Sequence, residues 1–197
     1  MVHAFEEIEV VEGHPSESGK CININESLIA FANHKFGQEL KLNIGEDRYY
    51  VNGTTAYKLA DEKGLEIKFH RTVRMPDDDK LHQLPASLGT FPLFNVSAYA
   101  DSLPSEIVGQ GGVFLPMWQR EALWIEFNGP HRHNKYAMRI FVGRVNAVSG
   151  LIRDKVPEVI DGHKQLQDYI VIPGQRWLDG ICIGPGIVRQ FVAMPCE

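Results

Sequence analysis

The stretch Gly64–Met75, GLEIKFHRTVRM, alternates Leu65, Ile67 and Phe69 with Glu66, Lys68 and His70. An apolar period of two is that of a strand with one face on a core and the other towards water. The alternation loosens at Arg71 and Thr72 before Val73, as it would at a β-bulge. Upstream, Phe5–Gly13 (FEEIEVVEG) partly alternates in the same way, and Leu40, Leu42 and Ile44 alternate with Lys41 and Asn43. Ile44–Thr55 (IGEDRYYVNGTT) reads as two strands with a turn at Gly45–Asp47. Between them, Leu28, Ile29, Ala32 and Phe36 recur at helical spacing, with Asn25 as a cap and Gly37 as a stop, so a short helix is expected over residues 25–36.

Downstream, Pro76, Pro85 and the run Asp77–Asp79 mark an exposed loop. Short apolar runs then recur at GTFPLFNV, GGVFLPM, EALWIEF, YAMRIFVGRVNAV, DYIVIP, GICI and GIVRQFVAM, and in the fourth of these Met138, Ile140 and Val142 alternate with Arg139 and Phe141 as in a strand. A helical turn or two is expected in SAYADSLPSEIV, with Ser97 as cap and Pro104 as breaker, and Gly143 marks a bend between two strands. The pattern predicts a mainly β domain, with α+β as the alternative. Its form is a compact barrel or sandwich of about 8–11 short strands with one or two short helices. Residues 1–197 read as a single domain. A subdivision, if present, falls in the acidic proline-bearing segment, giving an N-terminal β/α part over 1–76 and a β-rich module over 88–197.

With 44% hydrophobic and 23% charged residues, the 197-residue chain has the composition of a globular protein able to bury a core. Twenty Lys and Arg against 25 Asp and Glu leave a formal charge of −5, which supplies no global attraction to nucleic acid or an anionic bilayer. No apolar run reaches the length of a membrane-spanning helix, and the N-terminus carries acids where a secretory leader is basic. The three cysteines, Cys21, Cys182 and Cys196, form no CxxC pair, so an intracellular, reducing location is expected.

The strings LGTFPLFNVSAYADSLPSEIVGQGGVFLPMWQREALWIEF, GRVNAVSG, QDYIVIP, QRWLDGI and VRQFVAMP together resemble a family of uncharacterised bacterial and fungal proteins. The resemblance covers about Leu88 to Pro195, with MWQREALW as its most specific part. It implies no activity and transfers no residue role. The family pattern continues past VRQFVAMP into glycine-rich strand sequence, so a short or single-module form is expected. The segment before about Leu65 lies outside the resemblance.

The densest chemistry is in Trp118, Gln119, Arg120, Glu121 and Trp124, joined by Arg176, Trp177 and Asp179 and by Arg189 and Gln190. Indoles beside amide, guanidinium and carboxylate groups suit a small molecule, a carbohydrate or a protein side chain. The leading expectation is therefore a binding or structural module whose ligand site comprises Trp118, Gln119, Arg120, Glu121, Trp177 and Arg189. Against it, Trp118 and Trp124 share one strand parity and Glu121 the other, which allows both indoles to pack a core while Glu121 faces solvent. The alternative is a hydrolase or transferase using Glu121 and Asp179 as a carboxylate pair. A further alternative is a cysteine-dependent enzyme, with Cys21 and His34 the first pair to inspect. His131 and His133, with His163, are weak metal-ligand candidates, because an HxH spacing in a basic loop reads first as solvated surface. No cofactor motif is present, and none is expected.

Overall fold

A computed structural model describes residues 5–13, 44–51, 54–60, 65–76, 78, 80–129, 135–153, 155 and 167–194. Among the described residues the fold is mainly β, with few and short helices. Its strands are β1 (Phe5–Gly13), β2 (Ile44–Val51), β3 (Thr54–Ala60), β4 (Glu66–Thr72), β5 (Phe94–Asn95), β6 (Val113–Phe114) and β7 (Ala122–Asn128). They continue with β8 (Lys135–Val142), β9 (Val145–Asn146), β10 (Ile170–Ile172), β11 (Trp177–Leu178), β12 (Gly180–Gly184) and β13 (Ile187–Val192). One sheet runs β1-β8-β10, with β9 on β8. A larger one runs β12-β13-β7-β4-β3-β2, with β11 on β7, and β5 pairs with β6. The sheets are open, not closed into a barrel.

The alternation of Gly64–Met75 dictates the centre of the larger sheet. Leu65, Ile67 and Phe69 are buried on the face where β7 contributes Leu123, Ile125 and Phe127. Tyr136, Met138, Ile140, Ile170 and Ile172 of the other sheet join them in one core cluster, so both open sheets pack inner faces on a shared core. Each such side chain contributes about 1.5–3 kcal/mol by leaving water.

Four expectations are corrected. The loosening at Arg71 is not a bulge: β4 and β7 stay in register from Glu66↔Asn128 to Thr72↔Ala122. Thr72 remains in line because its Oγ1 donates to Ala86 O at 2.9 Å. Gly45–Asp47 is not a turn between strands. It stays inside β2 as a register irregularity between Ile44 and Arg48, and the reversal falls between Val51 and Thr54, which pair with each other. There the sequence is Asn52-Gly53, a dipeptide suited to two-residue hairpin loops. The cap of the 3₁₀ helix Val96–Ser102 is Asn95, whose side chain accepts from Ser97 N. Pro104 does separate this helix from α1 (Ser105–Gln110). Finally, β8 does not alternate between core and water: Tyr136 through Phe141 are all buried. Arg139 is accommodated because its Nε lies 3.2 Å from Asp168 Oδ2 and its guanidinium 4.8 Å from the Phe141 ring centre.

Gly143 and Arg144 have φ of 57° and 64°, the left-handed pair that lets two residues reverse the chain between β8 and β9. At the far end of β4, Gln190 of β13 takes over from the ladder. Its Oε1 accepts from Met75 N at 2.9 Å and its Nε2 donates to Val73 O at 3.0 Å. No helix among the described residues is long and apolar enough to cross a membrane. The expected helix over residues 25–36 lies outside the described residues.

Candidate functional site

The inward residues of β4 and β7 leave their neighbours on the outer face of the larger sheet. Residues directly opposite across two strands share a face. The register therefore sets His70 beside Trp124, Lys68 beside Glu126, and Trp177 of β11 on the other side of Glu126. The His70 and Trp124 rings stack with centroids 4.0 Å apart and planes inclined by 5°. His70 Nε2 lies 2.9 Å from Glu126 Oε2, and His70 Nδ1 lies 2.7 Å from Ser87 Oγ. Trp177 is 48% exposed at the rim of this group.

Ser87 arrives from the loop between β4 and β5, which pairs with β4 along its final residues. Arg71 N donates to Gly89 O and Leu88 N to Arg71 O, both at 2.8 Å, and Phe91 N donates to Phe69 O at 2.8 Å. The amide of Gly89 donates to Ser87 Oγ at 3.1 Å. In the tautomer with the proton on Nε2, His70 donates to Glu126 and its Nδ1 accepts from the serine hydroxyl, whose Oγ also lies 3.5 Å from Gly89 O. Gly89 N–H, Ser87 Oγ, the His70 ring and Glu126 thus form one continuous hydrogen-bonded chain. Lys68 Nζ is held 2.8 Å from Glu66 Oε2 at the edge of the same face.

The residues expected to form the site are distributed differently. Trp118 is 79% exposed, with Gln119 and Arg120 exposed beside it. They make a turn in which Glu121 N donates to Trp118 O and Arg120 has φ 66°. The turn is braced by Arg120 N donating to Ala193 O at 2.7 Å and Ala193 N to Glu121 O at 2.9 Å. The parity argument that put both indoles inside and Glu121 outside is reversed. Trp118 precedes the strand and projects to solvent, and Trp124 is half-buried on the outer face. Glu121 has a side chain only 13% exposed, because Arg71 Nε pairs with its Oε1 and Trp118 N donates to its Oε2 at 2.9 Å. Arg71 itself lies 4.6 Å above the Phe91 ring.

Asp179 follows β11, and its carbonyl accepts from Phe191 N at 3.0 Å. Arg189 is exposed on β13, opposite Ile181. The structure thus brings Trp118, Glu121 and Arg71 together at one end of β7 and Trp177 with Glu126 near the other. Glu121 and Glu126 are five residues apart, about 16 Å at strand rise. His131, His133 and His163, like Cys21 and His34, lie outside the described residues. Among the described residues, no group of three His, Cys, Asp or Glu side chains is placed to hold a metal ion.

Sequence reasoning noticed His70 only as a polar position in the alternation of Gly64–Met75 and passed over Ser87 and Glu126. The outward parity of His70 was available in the alternation of its strand. The pairing of His70 with Trp124 and the return of Ser87 were not. Fold and site define the class: a mainly β protein of open sheets with a hydrogen-bonded polar and aromatic cluster on one outer face. No protein-family model, no curated protein and no solved structure matches the chain.

Proposed function

We propose that the protein is a binding module whose ligand sits on the outer face of the larger sheet, against Trp177 and beside Glu126 and His70. The observation that carries this reading is a half-exposed indole directly across the strand pair from a carboxylate. A carbohydrate suits it best, since a sugar ring offers an apolar C–H face for stacking and hydroxyls for the neighbouring acceptor. The net charge of −5 favours a neutral ligand over a polyanion such as nucleic acid. Intracellular residence belongs to the same reading and is supported by three cysteines without a CxxC pair.

The test is a titration of intrinsic tryptophan fluorescence with glucose, N-acetylglucosamine and their disaccharides. A saturable change that Trp177→Ala abolishes is expected. Lack of saturation with every sugar, or an unaltered response in the variant, overturns the reading. The hydrolytic alternative based on Glu121 and Asp179 gains nothing from the geometry, because both carboxylate oxygens of Glu121 are already engaged.

A further inference from the structure

We propose that Ser87, His70 and Glu126 form a nucleophilic relay that hydrolyses activated carboxylic esters. Such chemistry requires a hydroxyl, a base within hydrogen-bond reach of it, and a third group orienting the base. The spacings of 2.7 Å from Ser87 Oγ to His70 Nδ1 and 2.9 Å from His70 Nε2 to Glu126 Oε2 meet that requirement. The relay uses the ring nitrogens in the opposite sense to the familiar serine hydrolases, which leaves the proton path unchanged.

Three further features separate it from a surface hydrogen bond. Ser87 is exposed, as a nucleophile must be. Its backbone is pinned on both sides, since Thr72 Oγ1 holds Ala86 O and Leu88 N is bonded to Arg71 O. The base is flanked by an indole face at 4.0 Å, and an aromatic face favours the imidazolium formed when His70 takes a proton.

The steps balance without an oxidant or cofactor. Ser87 Oγ attacks the ester carbonyl carbon as its proton passes to His70 Nδ1, and Glu126 holds the Nε2 proton throughout. The carbon–oxygen bond to the leaving group breaks, the electron pair departs with that oxygen, and His70 returns the proton to it. Water then gives a proton to His70 and attacks the acyl carbon. Ser87 Oγ leaves with the bonding pair and recovers the proton. Ester and water become acid and alcohol. The two amides after Ser87 are occupied, Leu88 N by Arg71 O and Gly89 N by Ser87 Oγ. That limits oxyanion support and confines the substrate class to esters with good leaving groups.

The inference shares its sheet face with the binding reading but does not depend on it. Diisopropyl fluorophosphate, which has no ring to stack on Trp177, is the probe that keeps their failures distinguishable. With the full chain, a single phosphoryl adduct mapped to Ser87 is expected, together with steady turnover of p-nitrophenyl acetate. Both vanish in Ser87→Ala. Glu126→Gln should slow both by at least about tenfold with an unchanged thermal midpoint, because the base loses its charged orienting partner. Glu126→Asp, which keeps the charge, should recover part of the rate. Absence of an adduct, an adduct elsewhere, or equal rates in the wild type and Glu126→Gln would overturn the proposal.

Discussion

Trp124 and His70 lie face to face across β7 and β4, 4.0 Å apart and within 5° of parallel. Stacking places one side chain from each of two core strands on the outer face, so the geometry of that face is inherited from a buried ladder. Loops can change around it while the His70–Glu126 spacing stays, because Trp124 and Glu126 are alternate residues of one strand.

Replacing Trp177 by alanine separates binding from folding. The indole is half exposed, so the variant should lose less than about 1 kcal/mol of stability. Binding of a stacking ligand should fall by about 1–3 kcal/mol. Urea unfolding beside a fluorescence titration reads both quantities, and a large stability loss would mark the indole as structural.

The Arg139–Asp168 pair behaves differently, since the two residues are 3% and 2% exposed. Asp168→Ala leaves a guanidinium charge buried without its carboxylate and should cost about 3 kcal/mol in urea unfolding. An Arg139→Met, Asp168→Leu double variant should recover much of that loss. A single variant within 1 kcal/mol of wild type, on the scale of an exposed pair, would contradict the expectation.

At Gly180 a Cβ would meet the carbonyl carbon of Arg189 at 2.6 Å and Val188 Cγ1 at 2.8 Å. Backbone cannot swing aside, so Gly180→Ala should open the β12–β13 hairpin and cost more than about 2 kcal/mol. At Gly184, in the same strand, a Cβ would meet nothing within 4 Å. Its alanine variant should be within about 0.5 kcal/mol of wild type by thermal unfolding.

Asp78 gives a pH-dependent signal. The hydrogen bond from His82, 2.7 Å from Asp78 Oδ1, is the main reason its carboxyl sits below the ordinary aspartate value of 3.8. A carboxyl lowered in the folded state adds its stabilisation above the unfolded value and loses it as pH falls through the folded one. The pair should therefore stay closed at pH 4 and open only under more acidic conditions. A carbon-detected NMR titration should place the Asp78 midpoint below 3.8, and His82→Ala should raise it towards that value.

The alternation of Leu65–His70 carried both the strand assignment and the choice of inward face, because a half-buried sheet imprints its period on sequence, whereas the apolar run Ala122–Ile125 marked a strand without fixing which face turns inward. β8 misled for the converse reason. Arg139 looks like a solvent position until Asp168, 29 residues away, supplies its partner. The site was hidden in a third way. Ser87 sits in a stretch with the composition of a loop, and it reaches His70 only because residues 88–91 add to the edge of β4. Such pairing is decided by register and tertiary approach, neither of which leaves a local period.

The side chain of Gln190 accepts from one backbone group and donates to another two residues away, as a peptide unit of a neighbouring strand would. One carboxamide thus acts as a prosthetic peptide bond, tying positions 117 residues apart in sequence. Release needs only rotation about side-chain bonds and involves two hydrogen bonds, about 1–3 kcal/mol. That end of the sheet therefore frays on its own, far more often than the core unfolds. Amide hydrogen exchange at Met75 would report this breathing directly, at a rate decoupled from that of Ile125 in the buried ladder.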